Sequence, residues 1–351
     1  MFANLGIKNY GSRTIAMVRN NKEELNRNFS EILSIHIIFS IIVIFVYLVL
    51  LFFFVEDNLV IFLIQSIYVF AAVFDINWFF FGIEKFKLTV GRNTLVKILS
   101  VFLVLVFVKT QTDLWIYALI LALSVFVGQS VVWFALKQYV SWRRPSWANM
   151  KQHIRPLFVL FLPILALSLY KYMDKIMLGS ISSNVQVGFY ENAEKIINVP
   201  MSLIMAFGVV LMPRIANMVT SKDKGEVFKL IDMSMEAVML LAIAISFGLA
   251  GISFVLAPIF FGYEFEECGI LIMGLAVTVP FMAFANVIRT QYLIPYKEDK
   301  IFVVSLFLGA AVNLIVNIIL IPYMAARGAV IGTIFAEIIV CIYPVSYTHL
   351  T

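Results

Sequence analysis

The chain reads as long apolar runs separated by short charged stretches. Ile32 to Phe54 and Ala237 to Phe261 carry no charged residue at all, whereas a soluble amphipathic helix would show charge at nearly every turn. At 1.5 Å per residue such runs match the roughly 30 Å hydrocarbon core of a bilayer. Run length and flanking charge predict about ten spans, near 32–54, 58–81, 94–108, 114–136, 156–178, 192–213, 233–261, 269–293, 301–322 and 328–345. The third is short. The sixth opens with charged residues, which places its outer end at the interface. The expected fold class is an all-α polytopic membrane protein.

Composition agrees with the pattern. Hydrophobic residues make up 62%, charged residues 13%, and the mean hydropathy is +0.97. A soluble domain carries roughly 45–50% apolar and about 25% charged residues, so this chain lacks the polar surface to cover a water-soluble body.

The net charge of +5 points to membrane rather than nucleic acid, because the charges sit in short loops between apolar runs. Alternate loops hold 19 Lys and Arg, from Lys8, Arg13, Arg19, Lys22 and Arg27 at the start to Lys297 and Lys300 near the end. The opposite loops hold only Lys109 and Arg327, and two of them are acidic: Glu56 and Asp57, then Glu264, Glu266 and Glu267. The basic side, with the N-terminal end, is expected in the cytoplasm. Residues 1–30 lack the apolar core of a signal peptide. Trp142 and Trp147 flank basic residues as interfacial anchors.

The basic stretch from Lys137 to Arg155, with Pro145 inside and Pro156 opening the fifth span, reads as a linker between two lobes, 1–150 and 151–344. A short echo, Arg13-Thr14-Ile15-Ala16 against Pro213-Arg214-Ile215-Ala216, agrees with repeated lobes, between which secondary transporters place their site.

An ionisable group inside the bilayer costs a few kcal/mol, so each one asks for a reason. Lys97 snorkels to the nearer interface. Lys171, Asp174 and Lys175 share one helix face, with Ser168 a turn earlier. They form either a cationic patch lining a wet cavity, with Asp174 orienting the lysines, or an internal ion pair plus a snorkelling lysine. Arg289, near Asn286 and Gln291, meets an anionic head group or snorkels inward. Glu337 lies mid-span, as a coupling-cation or proton site or as a protonated group bonded to a neighbouring helix. Asp75, with Asn77 and Trp78, reads as an interhelical hydrogen bond or, like Glu337, as an ion-coupling group. Asn313 and Asn317 read as packing glue.

No phosphate-cradling glycine loop and no metal-ligand spacing occurs. His36, His153 and His349 form no site in sequence, and Cys268 and Cys341 match no metal or redox spacing. Neither a catalytic residue nor a cofactor is expected.

Phe74-Asp75-Ile76-Asn77-Trp78-Phe79-Phe80-Phe81-Gly82-Ile83-Glu84-Lys85-Phe86 resembles the fourth-helix signature of bacterial polysaccharide and O-antigen oligosaccharide flippases (Wzx-like). Leu162-Pro163, Asp174-Lys175-Ile176-Met177-Leu178-Gly179 and Val187-Gly188-Phe189-Tyr190-Glu191-Asn192-Ala193-Glu194-Lys195 resemble the start of their second lobe. Asn313 through Pro322 and Gly328-Ala329 resemble their eleventh helix and the turn after it.

The resemblance runs from about residue 2 to about 344. It implies the MATE/MOP superfamily fold, two helical lobes around a cavity. It implies alternating-access transport of polyprenyl-pyrophosphate-linked oligosaccharide across the bacterial inner membrane, by a monomer coupled to a proton or sodium ion. A cationic cavity, typical of such members, suits Lys171 and Lys175. Partners are then lipid-linked oligosaccharide, membrane lipid and the ion, and no nucleic acid. A MATE-type exporter would favour an acidic cavity; a glycan polymerase or ligase would need a large outer loop, and the outer loops are short.

Phe2-Ala3-Asn4-Leu5-Gly6 resembles the end of a second helix, so a longer gene is expected, with further helices at both ends. Residues 345–351 resemble a non-native read-through tail.

Overall fold

The computed structural model describes residues 2–4, 6–55, 58–220, 224–296 and 298–348. Glu56 and Asp57 of the acidic loop, the basic Lys222 and Lys297, Met1, Leu5 and the tail residues His349, Leu350 and Thr351 lie outside them.

The described chain is helical: α1 (Ile7–Val18), α2 (Lys22–Phe54), α3 (Leu59–Val73), α4 (Asn77–Gly82), α5 (Phe86–Phe107), α6 (Leu114–Leu136), α7 (Trp147–Ile181), α8 (Asn184–Thr220), α9 (Lys224–Phe261), α10 (Cys268–Ala276), α11 (Thr278–Val287), a π-helical turn (Ile288–Leu293), α12 (Asp299–Met324) and α13 (Ala326–Thr348). Among the described residues, eight helices are long and apolar enough to cross a membrane, and nine if the bent pair of Cys268–Ala276 with Thr278–Leu293 counts as one span. The expected fifth span, 156–178, is part of α7.

Large apolar side chains face outward. Phe52 is 81% exposed, Phe134 81% and Ile259 78%. In water such a surface would aggregate; in a bilayer it meets lipid tails, while the helices satisfy their own backbone hydrogen bonds.

Local chemistry sets the helix ends. The Asn21 side chain accepts from the backbone N–H groups of Glu23 and Glu24 and caps α2, whose first turn holds both acids. Thr110 and Asp113 form a capping box ahead of α6. Gly6 takes φ 74°, and a Cβ there would lie 2.8 Å from the Leu157 carbonyl oxygen, so only glycine lets the start of α1 meet α7.

Four boundaries differ from expectation. The third span is a full helix of 22 residues, α5. It takes in Lys87 and Arg92, which were expected in a loop. Arg92 can enter because its guanidinium finds Gly128 O at 2.6 Å, Asn77 Oδ1 at 3.1 Å and Asn93 Oδ1 at 2.6 Å. The second span breaks after Val73 and resumes at Asn77. α7 begins at Trp147, so Pro156 sits within the helix instead of opening it. The expected linker therefore shortens to residues 137–146, between α6 and α7. That segment is tied to α2, where Asn26 Oδ1 accepts from Ser141 N and Ser30 Oγ from Arg143 N, both at 2.9 Å.

The chain divides into two compact units, Met1–Ile164 and Leu165–Thr351, with the division inside α7. In the first unit, α3 packs on α2 and α6, α1 on α4, and α5 on α6. Its core holds Phe29, stacked on Trp78 and edge-on to Phe79. In the second unit, α12 and α13 form a hairpin, and α8 to α11 pack with them around Leu178, Ile204, Leu271, Ile272 and Val279.

Candidate functional site

The second unit contains a cavity of about 500 Å³. Four ionisable residues singled out from the sequence line it: Lys171 and Asp174 from α7, Arg289 from the π-helical turn and Glu337 from α13. Glu194 of α8 joins them, and Met201, Met205 and Met282 supply an apolar, adaptable wall.

Asp174 is 5% exposed and is held by four donors. Asn313 and Asn317 donate to Oδ1 at 2.8 and 2.6 Å, and Tyr190 and Thr333 donate to Oδ2 at 2.8 and 3.0 Å. This corrects the expectation that Asp174 orients the lysines. Its lone pairs are taken by neutral donors on α8, α12 and α13, which stabilise a carboxylate away from water without a salt bridge. Asn313 and Asn317 thus fasten α12 to α7, as expected of packing glue, and Asn313 lines the cavity as well.

Lys175 is not among the lining residues. Its ammonium lies 2.7 Å from Glu194, with side chains 17% and 23% exposed. Lys171 makes no salt bridge among the described residues and sits 5.9 Å from the centre of the Tyr172 ring. Arg289 lies 4.4 Å from the centre of the Phe302 ring, within cation–π range.

The charges of the cavity are mixed. Lys171, Lys175 and Arg289 are matched by Asp174, Glu194 and Glu337. With Lys175 paired and Asp174 saturated, Lys171 is the lining cation that makes no salt bridge among the described residues, and Arg289 adds a second positive charge to the same wall. Glu337 is 6% exposed. The buried Tyr170 hydroxyl lies beside that carboxyl.

Asp75 belongs to the first unit. Its Oδ1 accepts from the Asn77 backbone N–H at 3.1 Å and from Asn77 Nδ2 at 2.6 Å, and so it pins the break between α3 and α4. His153, expected in a basic loop, is buried inside α7. Tyr10 Oη lies 2.6 Å from its Nδ1 and Glu31 Oε2 lies 3.0 Å from its Nε2, while Asn149 donates to Glu31 Oε1 at 3.1 Å. Burial raises the Tyr10 hydroxyl above the usual phenol range, so it stays protonated and can donate to Nδ1. The ring proton then belongs on Nε2, facing Glu31. Tyr190 and Thr333 around Asp174, and Glu31 beside His153, were not anticipated. They lie from 16 to 159 residues away from their partners.

Among the described residues, no group of three or more His, Cys, Asp or Glu could hold a metal ion.

Known proteins agree on the architecture. A putative O-antigen transporter of Shigella dysenteriae is 25% identical over 356 residues, covering 96% of this chain and 86% of that protein. The lipid II flippase MurJ of Bacillus subtilis (strain 168) is 29% identical over 192 residues, 51% of this chain and 35% of the relative. The solved structure of lipid II flippase MurJ in an inward closed conformation superposes with a TM-score of 0.75 at 14% identity, over 99% of this chain and 80% of that one. The family described as "Polysaccharide biosynthesis protein" matches residues 1–219, more than half of the chain, and the chain belongs to that family.

Proposed function

We propose that this protein carries lipid-linked (polyprenyl-pyrophosphate) oligosaccharide across the bacterial inner membrane by alternating access, with the basic loops and the N-terminal end of the chain in the cytoplasm. The observation that carries the reading is the cavity within the second unit. It combines two cations, Lys171 and Arg289, with a methionine wall, inside a member of a polysaccharide biosynthesis family. The relatives named O-antigen transporter and lipid II flippase support the same substrate class.

The cations suit the pyrophosphate, and the apolar wall suits the first isoprenoid carbons. Coupling to a proton or sodium ion would use the buried carboxyl of Glu337, since intramembrane carboxyls mark ion paths. Asp75, in the first unit and not lining this cavity, is the second candidate for that role. A transporter needs no catalytic residue. The carboxylates of the cavity give a MATE-type cation exporter as the second reading.

The test is glycan export in a cell whose own flippase is deleted. Lys171→Ala should lower surface glycan about tenfold, the worth of one charge-assisted hydrogen bond, at unchanged protein level. Lys171→Arg should retain part of the activity, since charge survives but the point-like ammonium does not. Full export by a Lys171→Ala/Lys175→Ala double variant would refute the pyrophosphate role. Loss of drug resistance with intact glycan export would favour the exporter.

A further inference from the structure

The first unit contains a second, smaller polar pocket of about 130 Å³, at the break between α3 and α4. Asn4, Lys8, Asp75, Asn77, Trp78 and Asn93 contribute to its wall. At ~30 Å³ per molecule it has room for about four waters. That is too little for an oligosaccharide but enough for the edge of one ring.

Its polar groups are held in place before any ligand arrives. Asp75 pins Asn77 through two hydrogen bonds, of 3.1 and 2.6 Å. Arg92 then fixes the carbonyl oxygens of both Asn77 and Asn93, at 3.1 and 2.6 Å. The Arg92 guanidinium is itself anchored on Gly128 O. Rigid placement of this kind is what a specific polar site requires.

Several hydrogen-bonding positions are left over. The indole N–H of Trp78 has no partner, although the residue is only 2% exposed. Asp75 Oδ2 receives only a long contact from Asn4, at 3.5 Å. Lys8 makes no salt bridge among the described residues, and with Asn93 bound through its oxygen its Nδ2 is available. An orphaned buried N–H costs about 1–3 kcal/mol, which a ligand acceptor would remove.

The mixture of donors and acceptor selects the ligand. A phosphate would meet the Asp75 carboxylate as a like charge, and a fully ionised phosphate ester has no O–H to donate to it. A metal ion or ammonium would find one carboxylate with Lys8 and Arg92 close by. A neutral hydroxyl donates and accepts at once, so it can satisfy Asp75 Oδ2 and the N–H groups together.

We propose that this pocket binds the hydroxylated edge of one neutral sugar ring of the carried glycan. The proposal rests on the flippase reading for the source of the sugar, not for the chemistry of the pocket.

The experiment is saturation-transfer NMR on the full chain in lipid nanodiscs, with methyl glycosides of single neutral sugars as probes and inorganic pyrophosphate as the contrast. At least one methyl glycoside should receive saturation, and pyrophosphate should not displace it. Asp75→Asn keeps the capping oxygen and should weaken binding about fivefold or more, the loss of a charged acceptor. Lys8→Ala, at an exposed position, should also weaken it with no change in unfolding temperature. Displacement of every glycoside by pyrophosphate would overturn the proposal in favour of an anion site. Absence of saturation from every glycoside, with Lys8→Ala and the unaltered chain equally folded, would leave a water-filled pocket and end it. Normal glycan export beside that negative result leaves the flippase reading standing, whereas glycoside binding with no glycan exported removes the flippase reading and leaves the pocket.

Discussion

At the scale of single residues, the polar groups inside this apolar protein are distinguished by whether their partners are complete. Glu31 and His153 are 1% and 3% exposed and complete each other through Tyr10 and Asn149. Removing both members should cost less than the sum of removing each. Glu31→Leu strands the His153 and Asn149 donors, at about 1–3 kcal/mol each, whereas Glu31→Leu/His153→Leu also removes the imidazole that was stranded. Thermal unfolding in detergent should therefore show the double variant losing less than the sum of the two single losses; strict additivity would deny the coupling. The role of His153 was hidden in the sequence by Lys151 and Arg155 on either side. It was nevertheless encoded: Met150, His153 and Leu157 are buried at spacings of three and four, the period of a helix face, with Lys151 and Arg155 exposed. Taking Pro156 as the start of the helix concealed that period, because the helix had already run for nine residues.

At the scale of elements, the hairpin of α12 and α13 shows what small residues do between membrane helices, where close backbone approach replaces the hydrophobic effect. A Cβ on Gly328 would lie 2.7 Å from the carbonyl carbon and oxygen of Leu320, and backbone cannot move aside as a flexible side chain can. A Cβ on Gly332 would run into the Asn317 amide and so disturb the group that holds Asp174. Gly248, exposed on α9, has nothing within 4 Å. Gly328→Ala should destabilise by about 1–3 kcal/mol through overpacking, while Gly248→Ala should be neutral or stabilising by up to about 1 kcal/mol. Unfolding midpoints of the two variants check this, and equal effects would contradict the close approach. Helix positions were legible because apolar run length is a local property. The side-chain partners were not, because Arg92 meets Gly128 and Asp174 meets Asn313, Asn317 and Thr333 only after folding brings distant helices together. The i, i+4 pair of asparagines was visible, but its target was not.

At the scale of the whole molecule, the question is which face of the membrane each end of a span meets. α7 is the most informative element. Its 35 residues extend about 52 Å at 1.5 Å per residue, enough to span the roughly 30 Å hydrocarbon core, and we expect its two ends on opposite sides. Ser141 precedes it in the linker beside Lys137, Arg143 and Arg144, and Ser182 follows it; both are exposed. The loops on the side of Ser182 hold only Lys109 and Arg327, and Arg327 is paired with Glu267 at 2.8 Å. Retention of Lys and Arg in the cytoplasm predicts Ser141 inside and Ser182 outside. The native thiols, Cys268 and Cys341, are both buried and can be replaced by alanine to clear the background. In intact cells, a thiol reagent that cannot cross the membrane should modify a Ser182→Cys variant and spare Ser141→Cys, and permeabilising the cells should expose the second. Labelling of position 141 alone in intact cells would invert the topology. Labelling of both positions would mean that α7 does not cross the membrane, and it would remove the bilayer setting in which Lys171, Asp174 and the cavity they line have been interpreted.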